Sequence, residues 1–182
     1  MNRKRFMVLL CVVLLLCCVC QSSLAYIAVK TEKLVNVMEP VTVDVLLEEV
    51  FVPENAQELS VGEEIAKKPR LQNTGVLNEY LAMKVLYVSG GSASGTELRT
   101  NWISLLNVDS TNWELAVAQN DYAVYYYKSA VAPNDYTTYL FDGVRVSSEW
   151  TDSCDFDIVL TGAAIQAEGV TMNGTIAAGL FE

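Results

Sequence analysis

The chain has 182 residues, with 22 acidic side chains, 12 basic ones and no histidine. An excess of negative charge repels phosphate backbones and anionic lipid, so we expect no nucleic-acid partner and no binding to an anionic membrane surface. The missing histidine removes the usual proton carrier at neutral pH, the commonest metal ligand and the common form of the serine triad. We therefore predict no enzymatic activity, no catalytic residues, no metal and no cofactor.

Residues 1–25 have the three parts of a secretion signal. Basic side chains at residues 3–5 precede an apolar run over residues 6–20, and small residues at Ser23 and Ala25 suit a signal peptidase. We predict cleavage between Ala25 and Tyr26 by a signal peptidase during export, and no stable membrane anchor afterwards. An uncleaved anchor is the alternative, but the apolar run is shorter than the roughly 18 residues of a membrane span.

Cleavage leaves residues 26–182, which we predict to form one domain. Four of the five cysteines leave with the signal, so Cys154 has no intramolecular partner and no disulfide can stabilise the fold. Three basic residues also leave, and the remaining 9 basic and 22 acidic residues give a net charge of −13. Stability must therefore come from packing.

Alternation of apolar and polar residues dominates the mature chain and predicts short strands. The first pattern has Val41, Val43, Val45 and Leu47, the next has Leu81, Met83, Val85 and Tyr87, and the last has Phe156, Ile158 and Leu160. Turn-forming residues separate these patterns at residues 53–55, 73–75, 89–92, 133–135 and 142–143. We predict an all-β chain, folded as an antiparallel jelly-roll-like β-sandwich with one or two short helices.

Three stretches depart from simple alternation. Residues 89–95 are rich in glycine and serine, which is typical of a surface loop. Residues 100–107 fit a short helix about as well as a strand, and residues 173–182 predict a weakly specified turn or short helix. Asn173 also begins a glycosylation sequon, which matters only in a host that glycosylates exported proteins.

Candidate sites for chemistry are weak. Pairs of acids at residues 48–49 and 63–64, and a cluster at Asp152, Asp155 and Asp157, are more typical of a solvated face than of glycoside hydrolysis or calcium binding. Tyrosines at residues 125–127 and the three tryptophans could form a carbohydrate platform, but alternating aromatics in strands favour core packing. Cys154 is more typical of a small buried hydrophobe than of a reactive thiol or an intermolecular crosslink.

Four segments of the chain carry a further signal. The first runs from Ala25 and Tyr26 into the strand pattern near Val41. The others supply the motif residues Pro69, Asn73, Thr74, Gly75 and Tyr80, then Tyr126, Tyr127 and Lys128, then Ile165, Gln166 and Ala167. In this order the segments resemble the TasA/camelysin-like family of exported proteins of Gram-positive bacteria, whose export often uses a SipW-type signal peptidase. Pro69 has no amide donor and suits an edge or the entry of a strand. Asn134 stands where the family often has glycine, and asparagine tolerates left-handed geometry.

The resemblance implies a secreted subunit of extracellular matrix or cell-surface fibres, as in biofilms. It also implies that the N-terminal strand of one subunit completes the sheet of the next, or of a related matrix subunit. The residues of this candidate donor strand are Tyr26, Ile27, Ala28, Val29, Leu34, Val35 and Val37. The same segment could instead be the first strand of its own domain. A monomeric adhesin or carbohydrate-binding module is the next alternative, and a camelysin-type metallopeptidase is disfavoured because the chain has no HExxH motif.

Overall fold

The structure is a computed structural model that describes residues 42–51, 62–150 and 156–182. All of these lie in one unit, Pro40–Glu182. The predicted signal, its cleavage site at Ala25, the candidate donor strand, the turn at residues 53–55, Asp152, Cys154 and Asp155 lie outside the described residues. The predicted division of the chain at residue 25 lies outside them too.

Antiparallel strands make up about half of the described chain. They are β1 (Val45–Phe51), β2 (Glu64–Asn73), β3 (Glu79–Ser89), β4 (Ile103–Leu106), β5 (Trp113–Gln119), β6 (Tyr122–Tyr127), β7 (Gly143–Val146) and β8 (Phe156–Gln166). Sheet 1 has the strand order β1-β2-β7-β4, and sheet 2 has the order β5-β6-β3-β8. Alternation therefore predicted the all-β class correctly.

One hydrophobic core is built from both sheets. Leu71 of β2 and Val144 of β7 pack with Leu81 of β3 and Trp113 of β5, all almost completely buried. Successive side chains of a strand point to opposite faces, so the inward residues of each sheet meet those of the other. This arrangement is consistent with a β-sandwich.

A short C-terminal helix, α2 (Gly174–Gly179), covers the outer face of sheet 2. Its Ala177 packs with Ala82 of β3 and Tyr126 of β6 in a second apolar cluster. The side chain of Asn173 accepts a hydrogen bond from the Ile176 N–H at 3.0 Å and so caps the helix. The helical alternative for the end of the chain is confirmed.

The ambiguous stretch at residues 100–107 contains both kinds of structure. A short helix, α1 (Gly95–Glu97), continues as a wider helical turn over Leu98–Trp102, and β4 follows directly. Ser94 and Glu97 cap α1 reciprocally, with the Ser94 N–H donating to Glu97 Oε2 at 2.7 Å. The end of the predicted glycine-serine loop is thus the start of this helix.

Pro69 corrects the expectation of an edge or strand entry. It lies in the middle of β2, opposite Glu49 of β1, and its carbonyl accepts the Leu140 N–H at 2.8 Å on the other side. The backbones of Leu71 and Asn73, two and four residues further along β2, also form hydrogen bonds with residues 134–137. Proline is tolerated there because irregular chain, not a continuous ladder, flanks that side of β2.

Candidate functional site

Strand β8 is the long edge of sheet 2. Within the described part of the chain it pairs with β3 over all eleven of its residues, and no described strand pairs with its other side. About half of the backbone N–H and C=O groups of an edge strand point away from its neighbour. An edge of this length presents a template on which a further strand can pair.

The inward side chains along β8 are only half-buried. Phe156, Ile158 and Leu160 contact the core without being enclosed by it, whereas Tyr87 and Val85, which pair with Ile158 and Leu160 on β3, are almost completely buried. The strand contains no proline, lysine or arginine, and its one charged residue is Asp157. Natural sheets usually protect a long edge with proline or charged side chains. Strand β8 has only Asp157 for this purpose.

The other described edges are blunted. Strand β4 has four residues, and β5 has an irregularity between Leu115 and Val117. Strand β1 carries two acids that form ion pairs: Glu48 accepts from Arg70 Nη2 at 2.7 Å, and Glu49 pairs with Lys67. Short length, bulges and charge all discourage strand addition. Among the described edges, β8 is therefore the best suited to accept a strand.

Gly162 fixes the distance between β8 and sheet 1. A Cβ at this position would lie 2.8 Å from Leu71 Cδ2 and 3.6 Å from both Cγ atoms of Val45. The middle of β8 therefore lies directly against β1 and β2 across the core. The inward residues of β1 therefore lie across from the edge of β8 that no described strand pairs with. Two of these residues, Val45 and Leu47, are half-buried.

The chain enters this domain through residues 42–44, which we call the leading segment. The Thr74 N–H donates to the Asp44 carbonyl at 3.0 Å, and the Val76 N–H donates to the Thr42 carbonyl at 3.4 Å. The Asp44 N–H in turn donates to Glu79 Oε1 at 3.4 Å. The leading segment is thus held by the turn after β2 and by the first residue of β3.

Asn73 organises that turn. It is completely buried, and its Nδ2 donates to the carbonyls of Leu77 at 2.7 Å and Val131 at 2.8 Å. Its Oδ1 accepts the Gly75 N–H at 2.8 Å. A buried amide with all of these bonds fixes the local chain path, because leaving any of them unmade would be costly. The predicted turn at residues 73–75 is confirmed.

The structure brings two of the motif segments together. The Ala167 N–H donates to the Asn78 carbonyl at 2.9 Å, and Tyr80 pairs in register with Ile165. Gln166 lies opposite Glu79, beside the turn that contains Thr74. Motif residues from the middle and the end of the chain therefore meet where the leading segment enters the domain.

The remaining motif residues have packing roles. Tyr126 is buried beneath α2, and the ring of Tyr127 contacts that of Trp113 edge-on, with centroids 5.3 Å apart. Lys128 Nζ donates to the carbonyls of Ser110 at 2.7 Å and Thr111 at 3.2 Å. The tyrosines at residues 125–127 thus pack in the two clusters and form no exposed aromatic ladder.

Two residues that the sequence analysis did not select contribute to the site. Glu79 has no exposed surface although it is acidic, and it is in phase with the inward residues Leu81 and Met83, a signal that alternation does contain. Burial raises the pKa of the Glu79 carboxyl, the hydrogen bond from the Asp44 N–H lowers it, and the charge of Asp44 raises it by less than that bond lowers it. Arg70 lies 4.0 Å from the Tyr136 ring centroid while bound to Glu48, and no local pattern predicted this contact.

No family model, no curated protein and no solved structure matches the chain. The open edge and the leading segment must therefore be interpreted from their own geometry.

In residues 42–51, 62–150 and 156–182, no three acidic or cysteine side chains come together as metal ligands would. Glu48 and Glu49 have separate basic partners, and Glu64 accepts from Arg145 Nε at 2.9 Å. No helix in the same described ranges has the length and apolar character to cross a membrane.

Proposed function

We propose that the protein is an exported structural subunit of cell-surface or extracellular matrix fibres. Subunits assemble when residues 26–37 of one copy pair with the free edge of β8 in the next. The observation that supports this proposal most strongly is the length and apolar character of the β8 edge, whose inward side chains are half-buried. Pairing by main-chain hydrogen bonds supplies affinity, and the apolar side chains of the added strand supply specificity.

Burial along β8 provides a driving force for this pairing. Fully burying one aliphatic or aromatic side chain contributes roughly 1.5–3 kcal/mol. Covering the exposed parts of Phe156, Ile158 and Leu160 therefore contributes on the order of 3 kcal/mol. New backbone hydrogen bonds add to this and offset the entropy lost when the incoming segment is ordered.

Residues 26–37 suit the edge in length and in charge. They are twelve residues against the eleven of β8, and apolar residues recur through them. Lys30 and Lys33 outnumber Glu32, so the segment has a net charge of +1 within a mature chain of −13. A positive strand approaching an acidic domain is favoured by electrostatic steering.

Strand order supports a jelly-roll interpretation of the fold and, among the described strands, a place for a further strand beside β8. In a jelly roll, the last strand lies between the first and the third, and the second lies beside the seventh. Here β8 lies beside β3 and β2 lies beside β7, but β1 pairs with β2. The position that a first strand would occupy beside β8 is the one that residues 26–37 fill in this proposal. The resemblance to the TasA/camelysin-like family favours the same assembly.

Comparing residues 26–182 with residues 38–182 tests the proposal. We expect the longer protein to form polymers visible by negative-stain electron microscopy, and the shorter one to elute as a folded monomer in size-exclusion chromatography. A synthetic peptide of residues 26–37 should bind residues 38–182 and slow amide hydrogen exchange along β8, while a scrambled peptide should not.

Two outcomes would contradict the proposal. Polymerisation of residues 38–182 to the same extent as the longer protein would show that the segment is dispensable. A longer protein that stays monomeric at high concentration, with β8 amides already protected, would assign residues 26–37 to their own domain. Exchange at β4 amides is the internal control, because that edge is short and should not change on peptide binding.

A further inference from the structure

Glu79 is a buried acid whose environment leaves one carboxyl oxygen without a partner. Its side chain has no exposed surface, and no described group lies within hydrogen-bonding distance of Oε2. The other oxygen accepts one long bond, 3.4 Å, from the Asp44 N–H. A buried carboxylate is costly unless several donors satisfy it, and the described residues provide Glu79 with only this one weak donor.

The leading segment helps to enclose this carboxyl. Gly75 allows the close packing, since a Cβ there would overlap Glu79 Oε1 and lie 2.8 Å from the Thr42 carbonyl oxygen. Thr42 and Asp44 are themselves exposed, so solvent lies on the far side of the segment. If residues 42–44 left the turn, the Glu79 carboxyl would lose its cover and be able to hydrate.

We propose that Glu79 is a proton-sensitive latch for the leading segment. A protonated Glu79 lets residues 42–44 stay docked on the turn after β2, and ionisation of its carboxyl favours their release. Release frees residues 42–44 from the turn after β2. This latch does not depend on fibre assembly, and it would operate in a monomer.

The charged groups around Glu79 determine the direction of the pH dependence. Asp44 faces it from the leading segment, while Asn73 in the turn, Gln166 opposite it on β8 and the Val131 backbone do not titrate. Burial is the main cause and raises the pKa of Glu79, the hydrogen bond from the Asp44 N–H lowers it, and the charge of Asp44 raises it by a smaller amount. The net shift of the Glu79 pKa is upward. Glu79 therefore holds its proton more tightly when residues 42–44 are docked than when they are released.

The sign follows from this difference. Release exposes the Glu79 carboxyl to water and returns its pKa towards the ordinary value of a glutamate, whereas burial keeps the pKa higher in the docked state. Docking is therefore fully favoured at a pH below the ordinary pKa of a glutamate and weakens as the pH rises through the raised pKa. Between the two pKa values, the docking equilibrium falls by up to about tenfold for each pH unit.

Amide hydrogen exchange on residues 26–182 under monomeric conditions, from pH 4 to pH 8, tests the latch. After correction for intrinsic rates, protection at Thr74 and Val76 should decrease with rising pH, because their N–H groups bind the leading segment. Protection at Trp113, whose N–H binds the Asp109 carbonyl at 3.0 Å, should stay constant. In Glu79→Gln, which cannot ionise, protection at Thr74 and Val76 should not depend on pH.

A pH-independent protection at Thr74 and Val76 in the unaltered protein would overturn the proposal, and so would an unchanged pH dependence in Glu79→Gln. A measurement on the unaltered protein keeps the test valid if that variant does not fold. The ¹³C shift of the Glu79 carboxyl should titrate with a raised midpoint, and the loss of protection should begin below that midpoint and level off above it. Protection that begins to fall only above the midpoint of the carboxyl titration would overturn the latch as well.

Discussion

Gly75 is required for close packing between two distant parts of the chain. Its position would bring any Cβ into overlap with Glu79 Oε1 and within 2.8 Å of the Thr42 carbonyl oxygen. No positive φ is involved, so the need for glycine is one of space. Positive φ does occur at Asn134, at 67°, as expected for asparagine in that turn.

Replacing Gly75 with alanine should therefore destabilise the domain. We expect Gly75→Ala to lower the free energy of unfolding by about 2 kcal/mol, because the Glu79 carboxyl and the leading segment must both move. Urea unfolding of residues 26–182 measures this. Gly179→Ala is the matched control: its Cβ would meet nothing within 4 Å, and alanine favours the last turn of α2. Equal stability of the two variants would contradict the packing role of Gly75.

At the residue scale, local chemistry predicted turns but not their distant partners. Asparagine, threonine and glycine in succession predicted the turn at residues 73–75. The bond from Asn73 to Val131 joins residues 58 apart in the sequence, and no local pattern contains it. The same limit explains Pro69, whose tolerance in mid-strand depends on the chain near Leu140.

At the element scale, alternation predicts a strand well when one face is buried. The inward phase of β3, including Leu81, Met83 and Val85, is confirmed, and so is the half-buried character of β1 at Val45 and Leu47. Ala82 is also buried, because α2 covers the opposite face of β3. Alternation alone could not predict this, since it depends on where the C-terminal helix packs.

An inward charge on β8 should block strand addition at that edge. We expect Ile158→Lys to abolish polymerisation of residues 26–182, because a lysine pointing into the space beside the edge must be desolvated when a strand is added. The half-exposed position allows the lysine to reach solvent in the monomer. Sedimentation and negative-stain microscopy measure assembly, and circular dichroism checks that the variant is folded.

Val159→Lys is the matched control for this prediction. Val159 is the next residue of β8, it is 44% exposed and it points to the outer face of sheet 2. The lysine there adds the same charge without entering the space beside the core. Polymerisation should persist in this variant, and its loss in both variants would argue for a general charge effect.

At the scale of the whole molecule, alternation predicted the class of the fold but not the strand order. Residues 64–66 of β2 pair with residues 143–145 of β7, far along the chain, and the turns between successive strands do not specify such neighbours. The order of sheet 2 is also not sequential, and among the described strands it leaves β8 at an edge. The sequence could therefore indicate a strand at residues 156–160 without indicating that it lies at an edge. Net charge, in contrast, is a property of the whole chain that the sequence does predict.

The net charge of −13 should make assembly depend strongly on salt. Like-charged subunits repel over the Debye length, which falls from about 30 Å at 0.01 M salt to about 10 Å at 0.1 M. We therefore expect residues 26–182 to polymerise faster as sodium chloride rises from 0.01 to 0.15 M at fixed pH, measured by light scattering. Holding the pH constant separates this effect from titration of Glu79. Sodium sulfate at matched ionic strength is the control for ion-specific effects.

The proposed donor strand is positive, so its own attraction to the acidic domain weakens as salt rises. Faster assembly at higher salt would therefore mean that repulsion between whole subunits dominates. Slower assembly would mean that the attraction of this one strand outweighs the repulsion of the domains.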